Sequence, residues 1–293
     1  MSMSRGGVAA REVWSAKGEA GLCYRSCMNC SASDGTLRRA SRGVCIVSLI
    51  ALVAPWSAIA QAPLELDDAA ARLQYAFYTG DARSLEEVLS LLENAELAAN
   101  LATARDYQLA YGHWKLAQLY AQPVDDGARP DAKSQARKAA QRCAKQAKAS
   151  LERDSNQAEL YAIEAACADF APDARGGGSS ACARSRAMKQ AVTLAKDNPR
   201  VQLIQALCEE TKTADPAAVD RWRAVVATFE AAPPSRPGQP DWGHVDALTL
   251  LGESYLQRGD PVAARDALER ALVLAPDYRH AQRLLQTAAI RPR

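Results

Sequence analysis

The sequence predicts an all-α protein built as an array of antiparallel helix pairs. Three observations point there. The 293 residues are rich in Ala and Leu, hold only three Phe and carry no long run of β-branched residues, a balance that favours helix over sheet. Apolar residues recur at helical spacing in one segment after another. Residues of the kind that close helix units, Asp154, Asn198, Pro233 and Pro276, follow at intervals of 44, 35 and 43 residues. A helix pair of that size cannot bury its apolar face alone, so its neighbours must stack on it.

Residues 1–60 read as a leader and export signal. Arg38, Arg39 and Arg42 precede an apolar run of 11 residues, Val44 to Ala54, which Pro55 ends. Ala58-Ile59-Ala60 then offers small residues for cleavage after Ala60, so the pattern is that of a secretory signal peptide. The run is shorter than the roughly 20 residues a membrane helix needs; a retained anchor is the alternative. Met1 to Cys27 shows no sustained periodicity and is assigned no structure. Cys23, Cys27 and Cys30 form C-x3-C-x2-C. This spacing resembles the iron–sulfur motif of the radical SAM enzymes. It lies ahead of the export signal, lacks the aromatic residue before the third Cys, and is followed by no alternating strand–helix pattern, so no cluster is assigned.

Residues 61–122 read as a degenerate helical repeat region. Pro63 to Tyr78 forms a helix with Asp67 and Asp68 near its positive end. Thr79-Gly80-Asp81 is a turn, and Ser84 to Leu101 is a second helix with Leu85, Leu89 and Leu92 on one face. Ala104 to Gln122 is a third, with Tyr107, Tyr111 and Trp114 as a core stripe.

Residues 123–232 continue the array and contain the cysteines of the exported part. Val124 to Asp131 is a loop. Ala132 to Arg153 is an amphipathic basic helix whose charges form a solvated face, followed by a helix from Asn156 to Phe170. Ala171 to Ser180, with Gly176, Gly177 and Gly178, is an insertion; no Gly-Lys-Ser/Thr follows, so it is not a phosphate loop. Helices follow over Ala181 to Lys196, Arg200 to Thr211 and Pro216 to Ala231, and Pro233 to Pro240 is a stiff link. Cys143, Cys167, Cys182 and Cys208 suit two disulfides in an oxidising compartment. Three connectivities are open. Helix geometry favours Cys143 with Cys167, which leaves Cys182 with Cys208. Their spacing is too wide for a clustered metal site.

Residues 241–290 carry the clearest unit. Leu251-Gly252, Tyr255, Gly259-Asp260, Ala264, Leu268, Ala271 and Pro276 stand at the spacings of a 34-residue helix–turn–helix motif. Tyr278 to Ala289 is the helix expected to cover the end of the stack. This unit resembles the tetratricopeptide repeat family, strongly over about 34 residues and weakly over perhaps 150. The resemblance implies a tetratricopeptide-like helical repeat array, a right-handed superhelix of antiparallel helix pairs. It assigns packing roles to Leu248, Leu251, Gly252, Tyr255, Ala264, Leu268, Ala271 and Pro276. It places Asp246, Thr249, Glu253 and Leu256 on a concave groove that holds a peptide or a partner's helix.

Little else in the sequence suggests chemistry. His113, His244 and His280 lie far apart, and no G-x-S-x-G, H-E-x-x-H or S-x-x-K motif joins them. The chain has a net charge of +2, and residues 61–293 hold 29 basic and 31 acidic side chains, net −2. Near-neutrality gives no reason to expect nucleic acid as a partner. The expectation is a non-enzymatic periplasmic scaffold binding a protein or peptide, without cofactor, metal or a stable membrane span once the signal is cleaved. The alternative is an accessory subunit or enzyme of cell-envelope polymer metabolism.

Overall fold

The helices expected over residues 61–293 form, with differences at their ends and one split. The computed structural model describes residues 65–122, 131–170, 181–209, 215 and 217–290. The expected leader and export signal and the motif of Cys23, Cys27 and Cys30 lie outside these residues, as do the glycine insertion and most of the loop after Gln122.

Helices α1 (Leu66–Tyr78) and α2 (Ala82–Asn94) form the first pair, and α3 (Ala102–Ala121) and α4 (Ala132–Arg153) the second. Helices α5 (Ala158–Cys167), α6 (Ala181–Arg184), α7 (Arg186–Ala195), α8 (Pro199–Glu209) and α9 (Ala218–Ala231) follow. Helices α10 (His244–Gln257) and α11 (Pro261–Leu274) form the last pair, with α12 (Arg279–Ile290) behind it. All elements among the described residues are helical. Helix α2 stops earlier than expected: Leu92 is its last buried residue, and the backbone turns extended at Ala95, with φ −71° and ψ 126°. One expected helix splits into α6 and α7 at Ser185, whose extended backbone and hydroxyl cap Met188 N–H at 3.0 Å.

The two Gly-Asp turns are the same structure. Gly80 and Gly259 have φ of 69° and 79°, a left-handed conformation that glycine adopts at little cost. Gly80 N–H donates to the carbonyl of Phe77 and Asp81 N–H to that of Ala76; Gly259 donates to Leu256 and Asp260 to Tyr255. This is the paired bond set of a Schellman helix end. Asp81 and Asp260 then each cap the next helix, on Ser84 and Ala263. Leu85, Leu89 and Leu92 are buried, as are Ala264, Leu268 and Ala271 at the same offsets from the turn. The first unit is thus a bulkier copy of the last.

The first helices of successive pairs form one row. Helix α1 meets α3, α3 meets α5, α5 meets α8, and α10 meets α12. Both disulfides brace the middle of this row. Cys143–Cys167 joins α4 to α5, with Cα atoms 6.4 Å apart, and Cys182–Cys208 joins α6 to α8 at 5.3 Å. The row curls far enough for its ends to touch. Tyr78, at the end of α1, lies 4.6 Å from Tyr278, next to α12, between ring centroids. The proline link docks as well: Gln74 Nε2 donates to Asp241 Oδ1 at 2.5 Å, and Gly238 N–H to Asp67 Oδ2 at 3.2 Å. No helix among the described residues is long and apolar enough to cross a membrane.

Candidate functional site

Helix α3 occupies the inside of the curl. Every residue from Leu109 to Ala117 is buried, so even His113 and Lys115 are enclosed. Trp242, which precedes α10, stacks on Tyr111 at 4.9 Å and meets Trp114 edge-on at 5.7 Å. Its indole N–H donates to the Tyr107 hydroxyl at 2.9 Å, and that hydroxyl donates to Glu159 Oε2 at 2.5 Å. Glu159 Oε1 accepts from Asn198 Nδ2 and Arg200 Nε at 2.7 and 2.8 Å. A single chain of bonds therefore links the segment just before α10 to α3, α5 and the start of α8. Buried Asp106 pairs with Arg105 and Arg153, tying the start of α3 to the end of α4.

Lys115 is the central charged group. It is 1% exposed, and its Nζ donates to Asp246 Oδ1 at 2.9 Å. The ammonium also lies 4.2 Å from the centroid of Phe77 and 4.6 Å from that of Trp114, where the negative faces of the rings attract it. Burial pushes the Lys115 ammonium below its usual range, and the Asp246 carboxylate opposes that shift. Burial likewise holds the phenols of Tyr78, Tyr107, Tyr111 and Tyr278 well above the ordinary tyrosine range. Asp246 Oδ2, Tyr111 Oη and Gln118 Oε1 are buried with no hydrogen-bond partner among the described residues.

Above this pair lies a cavity of about 320 Å³. Phe77, Lys115, Leu203, Asp246, Thr249 and Tyr278 form its buried base. Gln118, Gln122, Phe170, Leu207, Leu250 and His280 form a half-exposed rim. Asp246 is the one carboxylate among its described lining residues.

The four residues assigned to an open groove are placed differently from that expectation. Asp246, Thr249 and Leu256 are buried; Phe77 of α1 and Lys115 of α3 share the cavity base with Asp246 and Thr249. Asp246 and Thr249 reach the base of the cavity; the Thr249 hydroxyl donates to the carbonyl of Val245 at 2.8 Å. Glu253 is half-exposed and lies 3.6 Å from His280 Nε2 on α12. Of the packing residues, Leu248, Leu251, Gly252, Tyr255, Ala264, Leu268 and Ala271 are buried. Pro276 is exposed, and its carbonyl accepts from Gln282 Nε2 at 2.7 Å. Cys182 and Cys208 lie beside Asp169, but their sulfurs are bonded to each other and so cannot serve as thiolate ligands.

Sequence reasoning missed Lys115, Phe77 and Trp242. The available signal was the apolar circumference of α3, which implies that a lysine within it is buried and must find a partner.

No family model matches the chain, and no curated protein matches it. Among solved structures it is similar to YrrB, described as a TPR protein with an unusual peptide-binding site, at 15% identity and a TM-score of 0.35, over 77% of this chain and 100% of that one. It is also similar to Acl4, the assembly chaperone of RpL4, at 13% identity and a TM-score of 0.34, over 77% and 96%. At these TM-scores neither likeness adds to the architecture read from the chain's own helices.

Proposed function

We propose that the protein is an exported, non-enzymatic interaction scaffold that holds a peptide or a partner's helix at the mouth of the cavity between α3, α8 and α10. One observation carries the reading: the inner face of the array keeps an apolar-walled cavity with a half-exposed polar rim at Gln118, Gln122 and His280. Such a concavity suits an anchoring side chain better than an extended strand of peptide. The charged groups at its base have structural work, since Lys115 and Asp246 neutralise each other beneath the rings. The periplasmic assignment rests on the export pattern ending at Ala60, and the two cysteine pairs suit an oxidising compartment.

A photo-crosslinking residue at Gln122 tests the site in intact cells. The expected result is one dominant adduct that is missing when the same residue stands at Arg265, an exposed position on α11. Equal labelling from both positions would overturn the assignment of the site. The compartment is read from the mass of the isolated protein, which should begin at Gln61 and rise by four hydrogens on reduction.

A further inference from the structure

We propose that the outer face of α4 docks the protein peripherally on an anionic lipid surface. The helix carries seven basic residues and one acidic residue, a net +6. The remainder of residues 61–293 therefore carries −8, so the near-neutral total conceals a strong segregation of charge. Lys133, Lys138, Arg142, Lys145 and Lys148 are exposed and Arg137 is half-buried. The opposite face, with Ala136, Ala139, Ala140, Cys143 and Ala147, is buried. Cys143 is bridged to Cys167 on α5, which fixes the direction in which the cations point. The nearby acidic groups lie at the edges. Glu164 on α5 is 3.9 Å from Lys148, and Glu93 on α2 is paired with His113.

The composition of this face selects the partner. It presents Lys, Arg, Gln, Ser and Ala, with Glu152 near its C-terminal end and no aromatic or large aliphatic side chain. Protein interfaces concentrate their energy in aromatic and Arg anchors and are depleted in Lys, so a protein partner fits poorly. Lysines are point charges on flexible stems and need no fixed geometry, which suits a fluid layer of phosphate headgroups. Without an apolar side chain to insert, the attachment is electrostatic and reversible. Each cation near such a surface multiplies partitioning roughly fivefold.

Vesicle sedimentation of the full chain tests this, with phosphatidylcholine vesicles and with vesicles containing phosphatidylglycerol at about one lipid in three. The neutral vesicles measure any contribution of the apolar run Val44 to Ala54. The anionic vesicles should bind far more strongly, and the difference should vanish in high salt. The variant Lys133→Gln/Lys138→Gln/Lys145→Gln should lose roughly 100-fold in partitioning and keep its melting temperature, because these side chains are exposed. The control Arg83→Gln/Arg265→Gln/Arg283→Gln should bind like the original. Equal binding to both vesicles, or an undiminished Lys variant, overturns the proposal. Binding to polyglutamate with none to vesicles also overturns it and assigns the face to an acidic protein segment.

Discussion

Lys115 Nζ lies 2.9 Å from Asp246 Oδ1, joining buried positions 131 residues apart. The bond fastens α3 to α10 across the inside of the curl. Such a pair gains little over apolar residues of the same shape, but its loss on one side is costly. Lys115→Met should destabilise the fold by about 3–5 kcal/mol, since it leaves the Asp246 carboxylate buried and alone. Lys115→Met/Asp246→Leu should recover much of that loss. Urea unfolding of the three proteins measures both effects. A single variant as stable as the original would show that the pair is not a tie.

Alkaline pH should unfold the protein steeply. Tyr78, Tyr107, Tyr111 and Tyr278 have their phenols raised by burial. Their contribution to stability is complete below the unfolded value of about 10 and is lost as pH climbs from there toward the raised values. Each costs about 1.4 kcal/mol per pH unit in that window. Lys115, whose pKa is lowered, acts in the opposite direction, adding stability as pH rises from its lowered value to about 10.4. Tyrosinate absorbance and far-UV circular dichroism should therefore change together. Complete titration near pH 10 with helicity intact would contradict the burial of these rings.

Two glycines in the last pair should respond to substitution for different reasons. A Cβ at Gly252 would stand 2.6 Å from Leu268 Cγ and 3.3 Å from the Ala264 carbonyl oxygen. Gly252→Leu should therefore cost about 3 kcal/mol or more, at or beyond the usual range for overpacking. Ala264→Trp, on the facing helix, should lower the melting temperature for the same reason. Gly259 has open space around it but a φ of 79°, so Gly259→Ala should cost only about 1–2 kcal/mol. Thermal melts rank the set, and an unchanged transition in Ala264→Trp would sink the repeat assignment.

Trp242 combines three interactions: stacking on Tyr111, an edge contact with Trp114 and a bond to Tyr107. Trp242→Phe should lose about 1 kcal/mol with the hydrogen bond, whereas Trp242→Ala should lose about 3–5 kcal/mol. Guanidinium unfolding compares them.

Reduction should weaken the middle of the array most. Each bridge closes a loop of moderate length, with sequence separations of 24 and 26, so each contributes about 2–4 kcal/mol. Cys143→Ser/Cys167→Ser and Cys182→Ser/Cys208→Ser should each lower the melting temperature. Hydrogen exchange should rise first in α5 to α8.

The helices were legible in the sequence because their signals are local. Gly80-Asp81 and Gly259-Asp260 each end one helix and cap the next, and Leu85, Leu89 and Leu92 keep the spacing of Ala264, Leu268 and Ala271. The end of α2 was less legible, because Leu97 and Leu101 offer further apolar residues although the backbone turns extended at Ala95. The cavity was not legible at all. Lys115 and Asp246 meet through the cumulative angle of several stacked pairs, a quantity that no short stretch encodes. The groove assigned to Asp246, Thr249, Glu253 and Leu256 assumed an open curve, and the curve brings Phe77 and Lys115 beside Asp246 and Thr249.

The contact between Tyr78 and Tyr278 sets a limit on how such a chain can change. An open array grows or shrinks by whole units, because each added pair needs only one neighbour. Here both ends of the row rest on each other, so a gained or lost pair would shift Tyr278 and Asp246 away from Tyr78 and Lys115. The number of units is therefore fixed by closure. Variation in a lineage of such proteins would be confined to substitutions, and to loops such as the proline link, while the helix count stays constant.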